Sequence, residues 1–321
     1  FTIFSSLVMS DRMVYKELYS ITERVGFMNN MTAKVSCFAR AYHYKNNNQW
    51  VFKDGIAEMI LGDKDYLSIA DNMAKGIQFF APGFTGDASE ALRFIVNHQL
   101  SPSVLGRSAF CEKYLMNEVA IGCKQYVLFA AGYDTFSFRN TIKELRIFEL
   151  DLPEMIADKK ERVEGCGLVY PDNTLLLPCN LAGDDWTSLI CDNGFQKTAK
   201  SFGSLLGISY YLSKEDFKKL IFRISSIFTS GSAICFDYPV EAEGEESVKN
   251  RQLADAAGEP MQAKYIYEEM EILLEENGFL IYEHLDENEM TKQYFADYNA
   301  SMPEHTISAS KGVHYLLAVK Q

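Results

Sequence analysis

The stretch "QYVLFAAGYDTFSFR", Gln125 to Arg139, runs a short apolar strand straight into a glycine turn and then toward a polar, helical continuation. Two readings compete: a nucleotide-binding turn, or a buried strand that merely ends in glycine. In a nucleotide site the first strand closes on a glycine, because only a residue without a side chain lets the backbone approach the ligand closely. Gly132 holds that place. The next strand, "RIFELD", ends on Asp151, 19 residues beyond Gly132, where a carboxylate can accept from ribose hydroxyls. The spacing fits a cofactor that carries adenosine. The glycine alone does not decide the matter, since "AAGYDT" is neither G-x-G-x-x-G nor a phosphate loop ending in Gly-Lys-Ser/Thr.

The surroundings of the stretch carry more weight. Upstream, "EKYLMNEVAIGC" has helical spacing of Tyr114, Leu115, Val119 and Ile121. Downstream of "RIFELD", the helix "PEMIADKKERVEG" opens on Pro153, where a missing N–H costs nothing. "TLLLPCN" reads as a third strand, and "DDWTSLICDNG" as a helix opened by acidic residues and closed by Gly194. "SFGSLLGI" is a fourth strand. Ser213 and Asp216 form an approximate capping box for "KEDFKKLIFRISSIF", whose Phe217, Leu220, Ile221, Ile224 and Phe228 share a face. "SAICFDY", "FLIYEHL" and "GVHYLLAVK" complete seven strands, the helix "YEEMEILLEENG" preceding the sixth. The polar run Glu241 to Asn250 reads as an exposed insertion.

Strands separated by helices of this length predict an α/β fold with a doubly wound, seven-stranded, mainly parallel sheet, Rossmann-like, with ligands at the strands' carboxyl ends. The first hundred residues do not alternate in this way. Arg12 to Arg24, Ala33 to Tyr44 and Asp54 to Leu61 look helical and predict an N-terminal cap over that edge. The expected division is a cap over residues 1–104 and a core over 105–321, with the insertion near 240–262.

Bulk properties narrow the function. A formal net charge of -13 and no basic cluster longer than "DKKER" argue against a nucleic-acid partner, because phosphate binding needs a positive face. The seven cysteines include no C-x-x-C pair and no histidine at metal-ligand spacing, so buried free thiols in a reducing compartment, and no metal, are expected. "FTIFSSLVMS" lacks a basic leader region and is too short to span a bilayer. A cytoplasmic protein without a membrane partner follows as the expectation, its oligomeric state left open.

With these residues in view, "QYVLFAAGYDTFSFR" followed by "IFELDLPEMIADKKERV" resembles the leucine carboxyl methyltransferase family, class I S-adenosylmethionine-dependent O-methyltransferases. The resemblance runs from about Thr32 to Phe279. It implies S-adenosylmethionine as cofactor and S-adenosylhomocysteine as product; the small-molecule substrate expected here rests instead on the many aromatics of the helical cap. It implies Arg107 against the methionine carboxylate, with Arg40 assisting, and Ala130 and Gly132 as the turn beneath the methionine portion. Asp151 would hold the ribose beside Leu152, and Asn180 with Leu181 would border the adenine. Three departures stand out: Ala130 replaces the first turn glycine, Asn180 replaces an Asp, and Leu206 before Gly207 replaces a Glu.

Alternatives remain at several of these positions. Arg107 also reads as a surface arginine, Asp151 as the cap of the following helix, and Asn180 as a turn residue. Tyr42 and Tyr210 are candidates for lining the substrate pocket, or else core aromatics. No catalytic base is marked, and the five histidines are scattered. The leading reading is an O-methyltransferase acting on a carboxylate or hydroxyl of a small, apolar metabolite. A protein C-terminal carboxyl methyltransferase is narrower; a fold that binds S-adenosylmethionine without transferring methyl, or an NAD enzyme, is the alternative from another class.

Overall fold

The computed structural model describes residues 30–240, 252 and 260–321. The described chain opens on helix α1 (Met31–Asn46), followed by α2 (Ala57–Leu61), α3 (Asp63–Lys75) and α4 (Ala88–Ile95). The helix expected from Asp54 starts only at Ala57, because the Asp54 carboxylate accepts from the N–H groups of Ile56 and Ala57, at 3.3 and 3.1 Å, and so ends the turn before it. α4 is fixed at its start by a reciprocal capping box between Asp87 and Glu90. A π-helical turn (Val96–Leu100) then feeds α5 (Ser101–Ala120), so the expected division at residue 104 falls inside a continuous helix. Phe38, Tyr42, Ile60, Tyr66 and Ile69 form the small core of this helical layer. The helix expected at Arg12 to Arg24 and the insertion at Glu241 to Asn250 lie outside the described residues.

The alternation continues as β1 (Gln125–Phe129), β2 (Arg146–Asp151), α6 (Pro153–Gly165), β3 (Thr174–Pro178), α7 (Trp186–Asp192), β4 (Ser201–Leu205) and α8 (Lys214–Ile227). It ends with β5 (Ala233–Pro239), α9 (Tyr267–Glu276), β6 (Phe279–Leu285) and β7 (Val313–Lys320). The seven strands form one sheet in the order β3-β2-β1-β4-β5-β7-β6, parallel except for β7. β1 is buried at every position, as a strand covered by helices on both faces must be. Val127 and Phe129 face a core shared with Trp186, Phe217 and Ile221, while Tyr126 and Leu128 face one shared with Phe110 and Leu115 of α5. Each large apolar side chain so buried contributes roughly 1.5–3 kcal/mol.

The expected pattern on α8 appears as drawn: Phe217, Leu220, Ile221 and Ile224 are buried, and the Ser213 hydroxyl accepts from the Asp216 N–H. Strand order reverses at β1, whose neighbours are β2 and β4. That crevice, at the carboxyl ends of the strands, is where an open α/β sheet takes its ligand.

Candidate functional site

β1 stops at Phe129 because the next residue turns left-handed. Ala130 has φ +56° and Gly132 φ +50°. The turn is tied to the neighbouring strand twice: the Ala131 N–H donates to the Leu150 carbonyl at 3.1 Å, and the Gly132 N–H donates to the Asp151 carboxylate at 2.7 Å. The second Asp151 oxygen accepts from the Leu152 N–H at 2.7 Å, at the start of α6. Capping of α6 and bracing of the β1 turn therefore coexist in one side chain. A carboxylate offers about four acceptor positions, so two remain open to a ligand's donors. Burial raises the pKa of the Asp151 carboxyl, and the two N–H donors oppose that shift.

Left-handed backbone costs an L-residue roughly 1–2 kcal/mol, and a glycine there would add roughly 0.4–1 kcal/mol of unfolded-chain entropy. Ala130→Gly is therefore expected to stabilise the chain by about 0.5–1 kcal/mol in urea denaturation. A loss of stability would show that the Ala130 methyl, half-buried against the core, contributes more than its strain costs.

The same register brings the other candidates to one edge. Asp151 pairs with Pro178, so Asn180 lies two residues beyond that end of β3. Leu206 and Gly207 follow β4 on the other side of β1. Asn180 is exposed; its side-chain oxygen accepts from the Ala182 N–H, and its own N–H donates to Asp184. Leu181 is buried beside Cys179 and Trp186. Leu152 is 40% exposed, an apolar surface directly beside Asp151.

Arg107 projects from α5 onto the β4 turn. Its guanidinium contacts the Asp237 carboxylate and the Ser36 hydroxyl, each at 3.3 Å. Gly207, at φ +71°, lies directly beneath it, and a Cβ there would come within 2.6 Å of an Arg107 nitrogen. The glycine thus serves both the turn and the arginine.

Arg40, expected to assist Arg107, is bonded within the protein. Its Nε donates to Asp54 at 2.8 Å, and its two terminal nitrogens donate to the carbonyls of Tyr133 at 2.7 Å and Ser36 at 3.3 Å. It holds the backbone of the β1 turn from outside. Tyr42 packs into the cap's own core with Phe38 and Tyr66, and Tyr210 is buried with its hydroxyl donating to Asp237 at 2.9 Å. The structure thus puts both tyrosines in packed surroundings.

Two residues without any motif to mark them complete the arrangement. Asp54, in "FKDGI", is fully buried and accepts from Arg40 and from the Thr135 hydroxyl at 2.8 Å, while Arg139 stands 3.6 Å away and pairs with Glu112. Asp237 lies in the second half of β5, two residues before its end, and accepts from the Gly207 N–H at 2.7 Å. A lone acid outside any repeated motif, in a loop for Asp54 and within a strand for Asp237, gives no spacing signal, so neither role is legible in the sequence.

A glycine turn at the strand-order reversal, an acid at the end of β2 and an arginine over β4 define a Rossmann-like fold with a site for an adenosine-bearing ligand. The leucine carboxyl methyltransferase family model matches residues 33–225. YktD of Bacillus subtilis (strain 168), named as an S-adenosyl-L-methionine-dependent methyltransferase, is 37% identical over 308 residues, covering 91% of this chain and 98% of its own. A Frankia alni protein, FRAAL3836, named likewise, is 29% identical over 161 residues, covering 50% of this chain and 56% of its own. Among solved structures, a DUF574 family protein from Streptomyces avermitilis is similar in fold at 13% identity, with a TM-score of 0.57 over 89% of this chain and 97% of that one. The chain belongs to the leucine carboxyl methyltransferase family and is an S-adenosylmethionine-dependent methyltransferase.

Proposed function

We propose that the protein transfers the methyl group of S-adenosylmethionine to an oxygen, a carboxylate or hydroxyl, of a small and mainly apolar metabolite. The observation that carries the cofactor placement is the Asp151 carboxylate, which braces the glycine turn with one oxygen and keeps acceptor positions for the ribose. Leu152 and Leu181 offer apolar flanks for the adenine, with Asn180 at its polar edge. Arg107, whose two contacts are long for charge-assisted bonds, suits the methionine carboxylate. Free thiols at all seven cysteines fit a cytoplasmic setting.

The bound cofactor supplies a methyl on a sulfonium, which leaves by in-line displacement. The chain's own work is alignment and exclusion of water. The glycine turn fixes the floor, Arg40 and Asp54 fix the turn, and the helical layer covers the edge. An ionised carboxylate acceptor needs no base, whereas a hydroxyl acceptor needs a positioned proton acceptor.

A protein that binds the cofactor without methyl transfer is the second reading, favoured by Leu206 at a family carboxylate position. The departure at Ala130 speaks less for it, since Ala130 adopts the left-handed conformation that a glycine turn uses. Asp151→Ala is expected to weaken S-adenosylhomocysteine binding by about 1–3 kcal/mol, the cost of losing a buried polar partner, as read by calorimetry. Unchanged affinity would move the ribose site elsewhere. Incubating a metabolite extract with methyl-labelled cofactor separates the two readings: a labelled product establishes transfer, and its absence despite tight binding favours the binder.

A further inference from the structure

Among the described residues, two polar groups at the carboxyl edge are weakly bonded or unbonded. Arg107 reaches Asp237 and Ser36 only at 3.3 Å, whereas Arg40 and Arg162 make bonds of 2.7–2.8 Å to their principal partners. The other group is the hydroxyl of Tyr315, which, like those of Tyr170, Tyr265 and Tyr294, has no hydrogen-bond partner among the described residues, and Tyr315 is the fully buried one that adjoins Asp237. A buried hydroxyl left unpaired is costly and uncommon in a native interior.

The two groups belong to one place. Tyr315 pairs in register with Asp237 across β5 and β7, and its ring lies 6.3 Å from that of Phe110, three residues beyond Arg107 on α5. The charges of Asp237 and Arg107 both act on its hydroxyl. The Asp237 carboxylate, which accepts from the Gly207 N–H, the Tyr210 hydroxyl and Arg107, makes no hydrogen bond to that hydroxyl. Burial also holds the Tyr315 phenol well above its ordinary titration range, so it is a donor and not a base.

We propose that Tyr315 and Arg107 are the two arms of one receptor for a ligand carboxylate, the tyrosine O–H donating to it and the guanidinium neutralising it. The assignment rests on the cofactor reading above and adds to it a ligand-contacting residue on β7. Two carboxylates could fill the receptor: that of the cofactor's methionine portion, or that of the methyl acceptor. In either case the bound anion draws Arg107 partly away from Asp237, and Gly207 leaves it the room to turn.

Tyr315→Phe tests this, because it keeps the ring and removes only the hydroxyl. Losing an unpaired buried hydroxyl should leave the thermal midpoint of the ligand-free chain unchanged or raised. If the cofactor's carboxylate is held, affinity for S-adenosylhomocysteine falls roughly 10- to 100-fold, the range for a hydrogen bond to a charged group, while affinity for 5′-methylthioadenosine, which has no carboxylate, stays the same. If the acceptor's carboxylate is held, both affinities stay the same, and base-labile methyl transfer from labelled cofactor into a metabolite extract falls at least 10-fold. Equal losses on both nucleosides, a lowered thermal midpoint, or no change in binding and transfer would overturn the assignment. Failure of the unmodified chain to bind S-adenosylhomocysteine would instead sink the cofactor reading beneath it.

Discussion

Asp54→Ala is expected to lower the unfolding free energy by about 3–5 kcal/mol, the range for removing one partner from a buried ion pair. The carboxylate is fully buried, and it receives the Arg40 guanidinium at 2.8 Å, the Thr135 hydroxyl at 2.8 Å and the Ala57 N–H at 3.1 Å, with Arg139 at 3.6 Å. Burial alone would push its pKa up; Arg40 and Arg139 more than offset this and hold it below the usual carboxylate range. Truncation strands Arg40 and opens the start of α2. The effect should also reach the ligand, because Arg40 carries the Tyr133 carbonyl and Thr135 lies in the turn that follows Gly132. Asp54→Asn keeps acceptors for Thr135 and Ala57 but not the charge, so its loss should be smaller. Urea denaturation of both variants checks this order; a loss below about 1 kcal/mol for the alanine variant would mean that water replaces the carboxylate.

That network also marks what the sequence can express. Hydrophobic period and helix punctuation fixed the alternation of elements from β1 onward, because a covered parallel strand and an amphipathic helix each repeat their pattern over several residues. Gly132 and Asp151 stand out for the same reason: one lies in the turn just after β1 and the other is the last residue of β2, and strand ends are countable. Arg40 was recognised as important through its family motif, but its partner Asp54 lies 14 residues away in a loop, and the bond between them is a fact of packing. Tertiary pairs of this kind have no period. Asp237 was passed over because "CFDYP" reads as a plain strand end, although its neighbour in the sheet is the position just after β4, where Leu206 leaves no carboxylate.

The second large effect lies under the opposite end of the same motif. Glu149, two residues before Asp151 on β2, is fully buried, and it accepts from Lys159 of α6 at 2.6 Å and from the Ser137 hydroxyl at 2.8 Å. Lys159 is likewise only 1% exposed, so each charge depends on the other in a place where neither can be hydrated. Glu149→Leu should therefore cost about 3–5 kcal/mol, most of it from the lysine left behind. Glu149→Leu with Lys159→Met removes both charges and should recover much of that loss, since apolar replacement of a whole buried pair is often neutral. The Ser137 hydroxyl, which loses its acceptor in both variants, sets the remainder at about 1–3 kcal/mol. The comparison also separates fold from site. Lys159 stands two turns into the helix that begins beside Asp151, so the bridge fixes the angle at which that helix leaves the carboxylate proposed to hold the ribose. If the double variant regains stability but binds S-adenosylhomocysteine more weakly than the unmodified chain, the pair is retained for placing Asp151. If stability and binding recover together, it serves the core alone.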